Sequence, residues 1–330
     1  NTIKKRVIAV LMTAAMASGM TTVCFASEDP LASLGNIDDI KDAEVTIGIS
    51  QMSLTTEYQA NLTKAIQDIY EKNYPNVKVV VTDANADSST QVSQVENMIS
   101  QGVDAILMCP YDRNGCMPAV EAAKEAGIPL IELCQETDSP DRTSFVGSLH
   151  YESGEMLMQE LADKLEGKGK VVFLEGPIGQ DSALARTEAA KDVCENYPDI
   201  EIVVEKVCDW DRAAAMSAVE NIIQSGTEFD AIYSESDSMA LGAVEALSGT
   251  DVEDKVVVGG IDLIEDAYRS ISEGGMYCSA FQNFLKQAEV GSEVAVRAAL
   301  GEQIEESYVI PFEMVTQDNI SEYAYVFEGK

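Results

Sequence analysis

The sequence predicts an α/β protein built as two similar, doubly wound parallel-sheet lobes. From Ala43 onward, short apolar β-branched runs alternate with longer amphipathic segments, the pattern of parallel strands covered by helices on both faces. The chain also repeats itself. Val95-Glu96-Asn97-Met98-Ile99-Ser100-Gln101-Gly102, followed by Val103-Asp104-Ala105-Ile106, returns as Val219-Glu220-Asn221-Ile222-Ile223-Gln224-Ser225-Gly226, followed by Phe229-Asp230-Ala231-Ile232, at an offset of 124 residues. Asn73-Tyr74-Pro75-Asn76-Val77 returns as Asn196-Tyr197-Pro198-Asp199-Ile200 at an offset of 123. Two matches at nearly one offset indicate tandem copies of one architecture, and 330 residues suit two domains of ordinary size.

The elements follow in order. Residues 1–26 read as a secretory leader, with Lys4, Lys5 and Arg6 before a short apolar stretch at 7–17 and small residues up to Ala26. The stretch is too short for a stable membrane anchor. Cleavage is expected after Ala26; a lipoprotein reading would acylate Cys24, but Val23 is bulky where that processing wants a small residue. Residues 27–42, acidic and polar with Pro30 and Gly35, read as a flexible linker. Strands are predicted at 45–49, 77–82, 104–108 and 129–133. Helices are predicted at 58–74 before Pro75, at 89–101 closed by Gly102, and at 117–125 closed by Gly127. The second half places strands at 171–174, 202–207, 231–233 and 256–258, with helices between them. In open parallel sheets a ligand crevice lies outside the carboxyl ends of the strands, so two such lobes face each other across a cleft.

Composition narrows the function. Lys and Arg total 22 against 57 Asp and Glu, a net charge of −35, which becomes −38 once the three leader cations are removed. So acidic a surface excludes nucleic-acid and anionic-membrane partners. The single histidine, His150, leaves no His pair for a metal, and it reads as a polar surface or hinge residue. Beyond the leader lie Cys109, Cys116, Cys134, Cys194, Cys208 and Cys278. Export would permit disulfides among them, but with no C-x-x-C and no zinc spacing they read chiefly as buried small hydrophobes.

Chemistry-bearing motifs are missing. There is no G-x-S-x-G elbow, no phosphate loop and no G-x-G-x-x-G after a strand, so no cofactor is expected and the chain reads as a non-enzyme. Gly259-Gly260 and Gly274-Gly275 read as turns. Glu235-Ser236-Asp237 reads as a strand end that lines a pocket and caps the next helix. A secreted α/β hydrolase stays open as the alternative, and would need a nucleophile–base pair.

Several stretches resemble the ribose- and galactose-type periplasmic sugar-binding proteins of ABC transporters. They are Ile47-Gly48-Ile49-Ser50 through Tyr58, Gln101 to Ile106, Ala126-Gly127-Ile128-Pro129, and Phe145-Val146-Gly147-Ser148. Asp209-Trp210-Asp211-Arg212, Ser238 to Ala243 and Gly260-Ile261-Asp262 complete the series, in the family's order. The resemblance implies three crossovers acting as a hinge, a first lobe of 43–148 plus 283–311, and a second of 149–282 plus 312–330. It implies a monomer that takes a sugar or polyol and docks on a membrane permease; a sensory receptor for such a ligand is the alternative.

The resemblance also assigns site residues. Arg186 matches an arginine that forks onto hydroxyls, Asp262 a carboxylate that accepts from two of them, and Gln282 a hinge amide. Trp210 and Tyr58 match aromatic walls. Thr56, Gln59, Gln135 and Ser236 stand where the family has other side chains, and Asp112 completes the ligand-binding set. An aspartate–arginine pair of the family is here Cys134-Gln135, and an asparagine is Cys109. Two charged forks are thereby lost, which points away from ribose and galactose towards a polyol, a cyclitol or a modified sugar.

Overall fold

The computed structural model describes residues 30–327, so the leader, Cys24 and the first linker residues lie outside the described residues. The chain first builds β1 (Thr46–Gln51), α1 (Glu57–Asn73), β2 (Lys78–Asp83), α2 (Ser88–Gln101) and β3 (Ala105–Met108). It continues through α3 (Met117–Ala126), β4 (Leu130–Leu133) and β5 (Ser144–Gly147). It then crosses over to α4 (His150–Lys164), β6 (Lys168–Glu175), α5 (Asp181–Glu195), β7 (Asp199–Val207) and α6 (Arg212–Gln224). The same lobe adds β8 (Ala231–Ser234), α7 (Asp237–Leu247), β9 (Val257–Asp262), α8 (Glu265–Glu273) and β10 (Cys278–Phe281). A second crossover leads into α9 (Phe284–Ala299) and β11 (Ser307–Val309), and a third into β12 (Glu313–Thr316).

Two six-stranded sheets result, in the orders β11-β5-β4-β3-β1-β2 and β12-β10-β9-β8-β6-β7. The two orders superpose strand for strand, as the repeat requires. One edge departs from the expected all-parallel scheme: β12 runs antiparallel to β10, with Cys278 opposite Thr316. The reason is that β11 runs towards the cleft, and the short third crossover carries the chain on into the second lobe from the cleft side, with no helix to reverse it. The strands beyond 258, β10 to β12, were not marked by any pattern in the sequence.

The repeat extends to polar atoms. Asp87 caps α2 by accepting from the Thr90 amide at 2.6 Å, and Asp211, 124 residues on, caps α6 by accepting from Ala214 at 2.6 Å. Gly102 (φ 74°) and Gly226 (φ 76°) follow the two helices in the left-handed region. Asp104 and Asp230 then each accept from the first strand of their sheet, at Thr46 (2.7 Å) and Lys170 (2.8 Å). Identical local chemistry thus fixes the same register twice.

The segment 30–42 is more than a linker. Ile40 is buried, Leu31 and Leu34 pack on the first lobe's core, and residues 37–39 form a short 3-10 turn capped by Asn36. Its anchor is Arg297 of α9, which donates to the Gly35 carbonyl at 2.8 Å and pairs with the buried Glu293 at 2.8 Å. Buried charges must be partnered, and this stretch supplies one of the partners.

Arg297→Met should therefore leave Glu293 buried without its cation and free the segment around Gly35. A loss of about 3–5 kcal/mol in denaturant-measured stability is expected; a change below 1 kcal/mol would show that solvent takes over the pairing.

Candidate functional site

Between the carboxyl ends of the two sheets lies a narrow cavity of about 40 Å³. The first lobe contributes Met52, Thr56, Tyr58 and Gln59 around the β1–α1 turn, and Cys134 and Gln135 after β4. The second contributes His150 at the start of α4, Ser182 and Arg186 on α5, Trp210 after β7 and Asp262 at the end of β9. Ser236 and Ser238 at the start of α7 and Gln282 in the second crossover close the wall. Of the residues expected from sequence, all but Asp112 line this space.

Asp112 stands at the rim. Its carboxylate accepts from the amides of Asn114 (3.0 Å) and Gly115 (2.6 Å) and holds the turn that presents Arg113. Arg113 reaches across the cleft: it binds Asp138 of its own lobe at 2.6 Å and Asp181 of the other at 3.3 Å. Its amide donates to the Gly179 carbonyl of the second lobe at 3.2 Å. With Oδ1 held by that turn and Oδ2 against Gly179 of the second lobe, Asp112 is not among the residues that line the cavity.

Arg186 is the centre of the site and is 3% exposed. Nη1 donates to the Glu235 carbonyl at 2.6 Å, and Nη2 donates to Gln282 Oε1 at 3.0 Å. Nη2 also lies 3.3 Å from His150 Nδ1 and 3.9 Å from Asp262 Oδ1. Nε has no protein partner. The Cys134 carbonyl, 2.7 Å from His150 Nε2, can only accept, and the guanidinium can only donate. His150 therefore carries its proton on Nε2 and takes the arginine's bond on Nδ1. It is a buried cavity residue at the first crossover, so of the surface and hinge positions the sequence allowed it holds the hinge one. A polar residue before an amphipathic helix carries no signal of which way its side chain turns.

Trp210 stands 5.9 Å below the Arg186 guanidinium, with Nε1 donating to Gln180 Oε1 at 2.7 Å. The ring lies directly on Gly176, where a Cβ would come within 2.1 Å of it. Tyr58 turns its hydroxyl to Gln287 Oε1 of α9 at 3.2 Å, tying the cavity to the hinge helix. The residues missed by the sequence reading, Met52, His150, Ser182 and Ser238, sit beside expected ones on the same strand ends; Cys134 was singled out only as a departure.

Three lining residues other than glycine hold positive φ: Cys134 (68°), Trp210 (62°) and Asp262 (125°). Such conformations cost roughly 1–3 kcal/mol each and persist where surrounding structure enforces them, as at ligand sites. Burial pushes the Asp262 carboxyl well above the usual carboxylate range, opposed by Arg186. Behind the wall, Glu235 accepts from the Gly176 amide (2.7 Å) and Thr187 (2.5 Å), and burial raises it to about 8. Asp237 accepts from Ser279 at 2.8 Å and from the Ile264 amide at 3.1 Å, and burial raises it to about 7. Ser236 caps α7 by accepting from the Met239 amide at 3.4 Å. The acidic triplet thus props the strand ends. No group of three His, Cys, Asp or Glu among the described residues is placed to hold a metal ion.

A duplicated α/β fold with its cavity between facing sheet edges defines a two-lobed ligand-capturing receptor. The chain belongs to the periplasmic binding protein domain family, whose model matches residues 47–303. It is 34% identical over 292 residues to a putative rhizopine-binding protein of Rhizobium meliloti, covering 86% of this chain and 93% of that protein. It is 29% identical over 313 residues to the ribose import binding protein RbsB of Bacillus subtilis, covering 95% and 99%. Among solved structures, an ABC transporter solute-binding protein from Bacillus halodurans with bound myo-inositol matches with a TM-score of 0.82 at 36% identity, covering 86% of this chain and 98% of that one. The family resemblance read from the strand-end motifs is borne out.

Two predictions follow from the geometry. Trp210 is the chain's single tryptophan, so Gly176→Ala should lift the indole off its seat and red-shift the intrinsic fluorescence; an unmoved emission maximum would mean that the backbone yields instead. Glu235 and Asp237 bind protons more tightly in the folded than in the unfolded chain, so their contribution is full below pH 4 and is lost as pH rises through 7 to 8. The melting temperature should accordingly be higher at pH 5.5 than at pH 8.5, and Glu235→Gln should flatten the difference. A profile that rises towards pH 8.5 would contradict the assignment.

Proposed function

We propose that this chain is an exported solute receptor that captures a polyol, cyclitol or sugar between its lobes and, as a monomer, delivers it to the permease of an ABC transporter. The observation that carries the reading is the half-satisfied fork of Arg186. Its two Nη atoms are engaged by the protein, its Nε is unpartnered, Asp262 stands beside it, and Trp210 supplies a flat apolar face. Vicinal hydroxyls on a ring match this arrangement, accepting from the guanidinium and donating to the carboxylate while the ring's C–H face lies on the indole.

The amides around the cavity favour the same chemistry. Gln135 Nε2 donates to Met52 Sδ at 3.2 Å, Gln282 Nε2 to Cys134 Sγ at 3.2 Å, and Gln59 Nε2 to the same sulfur at 3.8 Å. Sulfur is a weak acceptor, so these donors can be handed to ligand hydroxyls at little cost. Cys134 and Gln135 put neutral groups where the resemblance places a charged pair. The myo-inositol bound by the Bacillus halodurans relative makes a cyclitol the first candidate. Binding without turnover fits a site that offers hydrogen bonds and stacking, and closure across the three crossovers fits the Arg113–Asp181 pair at the rim. Residues 1–26 fit an export leader, with acylation at Cys24 the variant form.

Titration calorimetry against myo-inositol, xylitol and ribose tests this, alongside thermal shift. One of them should bind with one-to-one stoichiometry and raise the melting temperature. Hydrogen bonds to charged groups contribute about 1.5–3 kcal/mol, so Arg186→Ala and Asp262→Ala should each weaken binding roughly tenfold to a hundredfold. Unchanged affinity in both variants would remove the site from where it is placed here.

A further inference from the structure

Two strands of the first lobe end in a pair of thiols. β3 and β4 run parallel with Met108 opposite Glu132, so Cys109 and Cys134, each the first residue after its strand, stand one residue out of register on neighbouring strands. Adjacent strands about 4.8 Å apart and a rise of about 3.3 Å per residue put the two Cα atoms roughly 6 Å apart, within the reach of a disulfide. Both residues are buried, at 1% and 2% exposure, and both thiols are free. The Gln59 amide reaches the Cys134 sulfur at 3.8 Å, and each thiol shifts the titration of the other, as close neighbours do. Cys134 lines the ligand cavity, held there in a left-handed conformation, and it receives the Gln282 amide at 3.2 Å from the hinge.

We propose that Cys109 and Cys134 form a redox-responsive dithiol in the cavity wall, which a small-molecule disulfide converts into an intramolecular disulfide that weakens ligand binding. The Cys134 sulfur attacks a small-molecule disulfide RSSR; its S–S bond breaks, and one RSH leaves with the proton from Cys134. The Cys109 sulfur then attacks the Cys134 sulfur of the mixed disulfide, and the second RSH leaves with the proton from Cys109. Two protein thiols are oxidised to one disulfide while one RSSR is reduced to two RSH.

The order of attack follows from the environment. The neighbouring Cys109, followed by His150 and Arg186, holds Cys134 well below the usual thiol range, whereas burial and then Cys134 push Cys109 up. Drawing the Cys134 sulfur towards β3 takes it off Gln282, which also accepts from Arg186 Nη2. The hinge amide and the arginine fork would shift together. A bulky RSSR reaches Cys134 only through an open cleft, so bound ligand should protect the pair.

The effect on affinity rests on the binding function proposed above, but the cross-link does not. The protein is incubated with oxidised glutathione, remaining thiols are blocked with N-ethylmaleimide, and peptides are mapped by mass spectrometry before and after dithiothreitol. A Cys109–Cys134 cross-linked peptide is expected, with Cys109→Ser giving a glutathione adduct on Cys134 in its place. Affinity for myo-inositol should fall at least tenfold on oxidation and return on reduction, and myo-inositol should slow the cross-link. Full N-ethylmaleimide labelling of both residues after saturating oxidised glutathione would overturn the dithiol. A cross-link with unchanged myo-inositol affinity would overturn its effect on binding. If myo-inositol fails to bind the reduced protein, the choice of ligand is wrong, while the peptide map still decides the dithiol.

Discussion

A guanidinium buried to 3% exposure must be surrounded by acceptors, and the form of the cleft follows from how Arg186 meets that demand. Its partners come from the end of β8, the second crossover, the start of α4 and the end of β9. Its own carbonyl accepts from the Tyr233 hydroxyl at 3.0 Å, which locks α5 onto the sheet. Helix α4 lies so close to this point that a Cβ on Gly154 would be 2.5 Å from the Arg186 carbonyl oxygen. Moving the arginine would therefore disturb a strand end, a hinge strand and a helix pair at once. The arginine's Nε has no hydrogen-bond partner among the described residues.

The strained residues belong to the same constraint. Cys134, Trp210 and Asp262 all adopt positive φ at strand ends facing the cavity, where β geometry would otherwise send their side chains into the sheet faces. Each is overdetermined by neighbours: Trp210 by Gly176 and Gln180, Cys134 by its amide bond to the Val146 carbonyl and by Gln282. The buried carboxyl groups of Glu235 and Asp237 support the wall without lining it. They accept from Gly176, Thr187, Ser279 and Ile264, and so fix the loops that carry the lining residues.

Much of the architecture was legible in the sequence because it is locally encoded twice. The helix caps Asp87 and Asp211, the left-handed Gly102 and Gly226, and the strand-pinning Asp104 and Asp230 act through short-range bonds, and their repetition reveals two copies of one lobe. The cavity lining was legible where a motif fixes a position at or just after a strand end, as for Tyr58, Arg186, Trp210, Asp262 and Gln282. Asp112 also follows a strand end by sequence, yet its Oδ1 is held by its own turn and its Oδ2 lies against Gly179 across the rim. The antiparallel β12 and the docked segment 30–42 escaped because short edge strands and capped turns have no periodicity to read.

What the sequence alone determined is the repeated α/β pattern, the strand ends that face a cleft and the type of side chain at most of them. These depend on hydrophobic period, caps and spacing, which act over a few residues. Only the tertiary structure decided that His150 bridges Cys134 and Arg186 and that Arg113 spans the rim. Those contacts join residues from separate elements or separate lobes. Their existence depends on how two sheets are oriented across three crossovers, a relation set by packing and by the partners a buried charge demands, and no local pattern carries it.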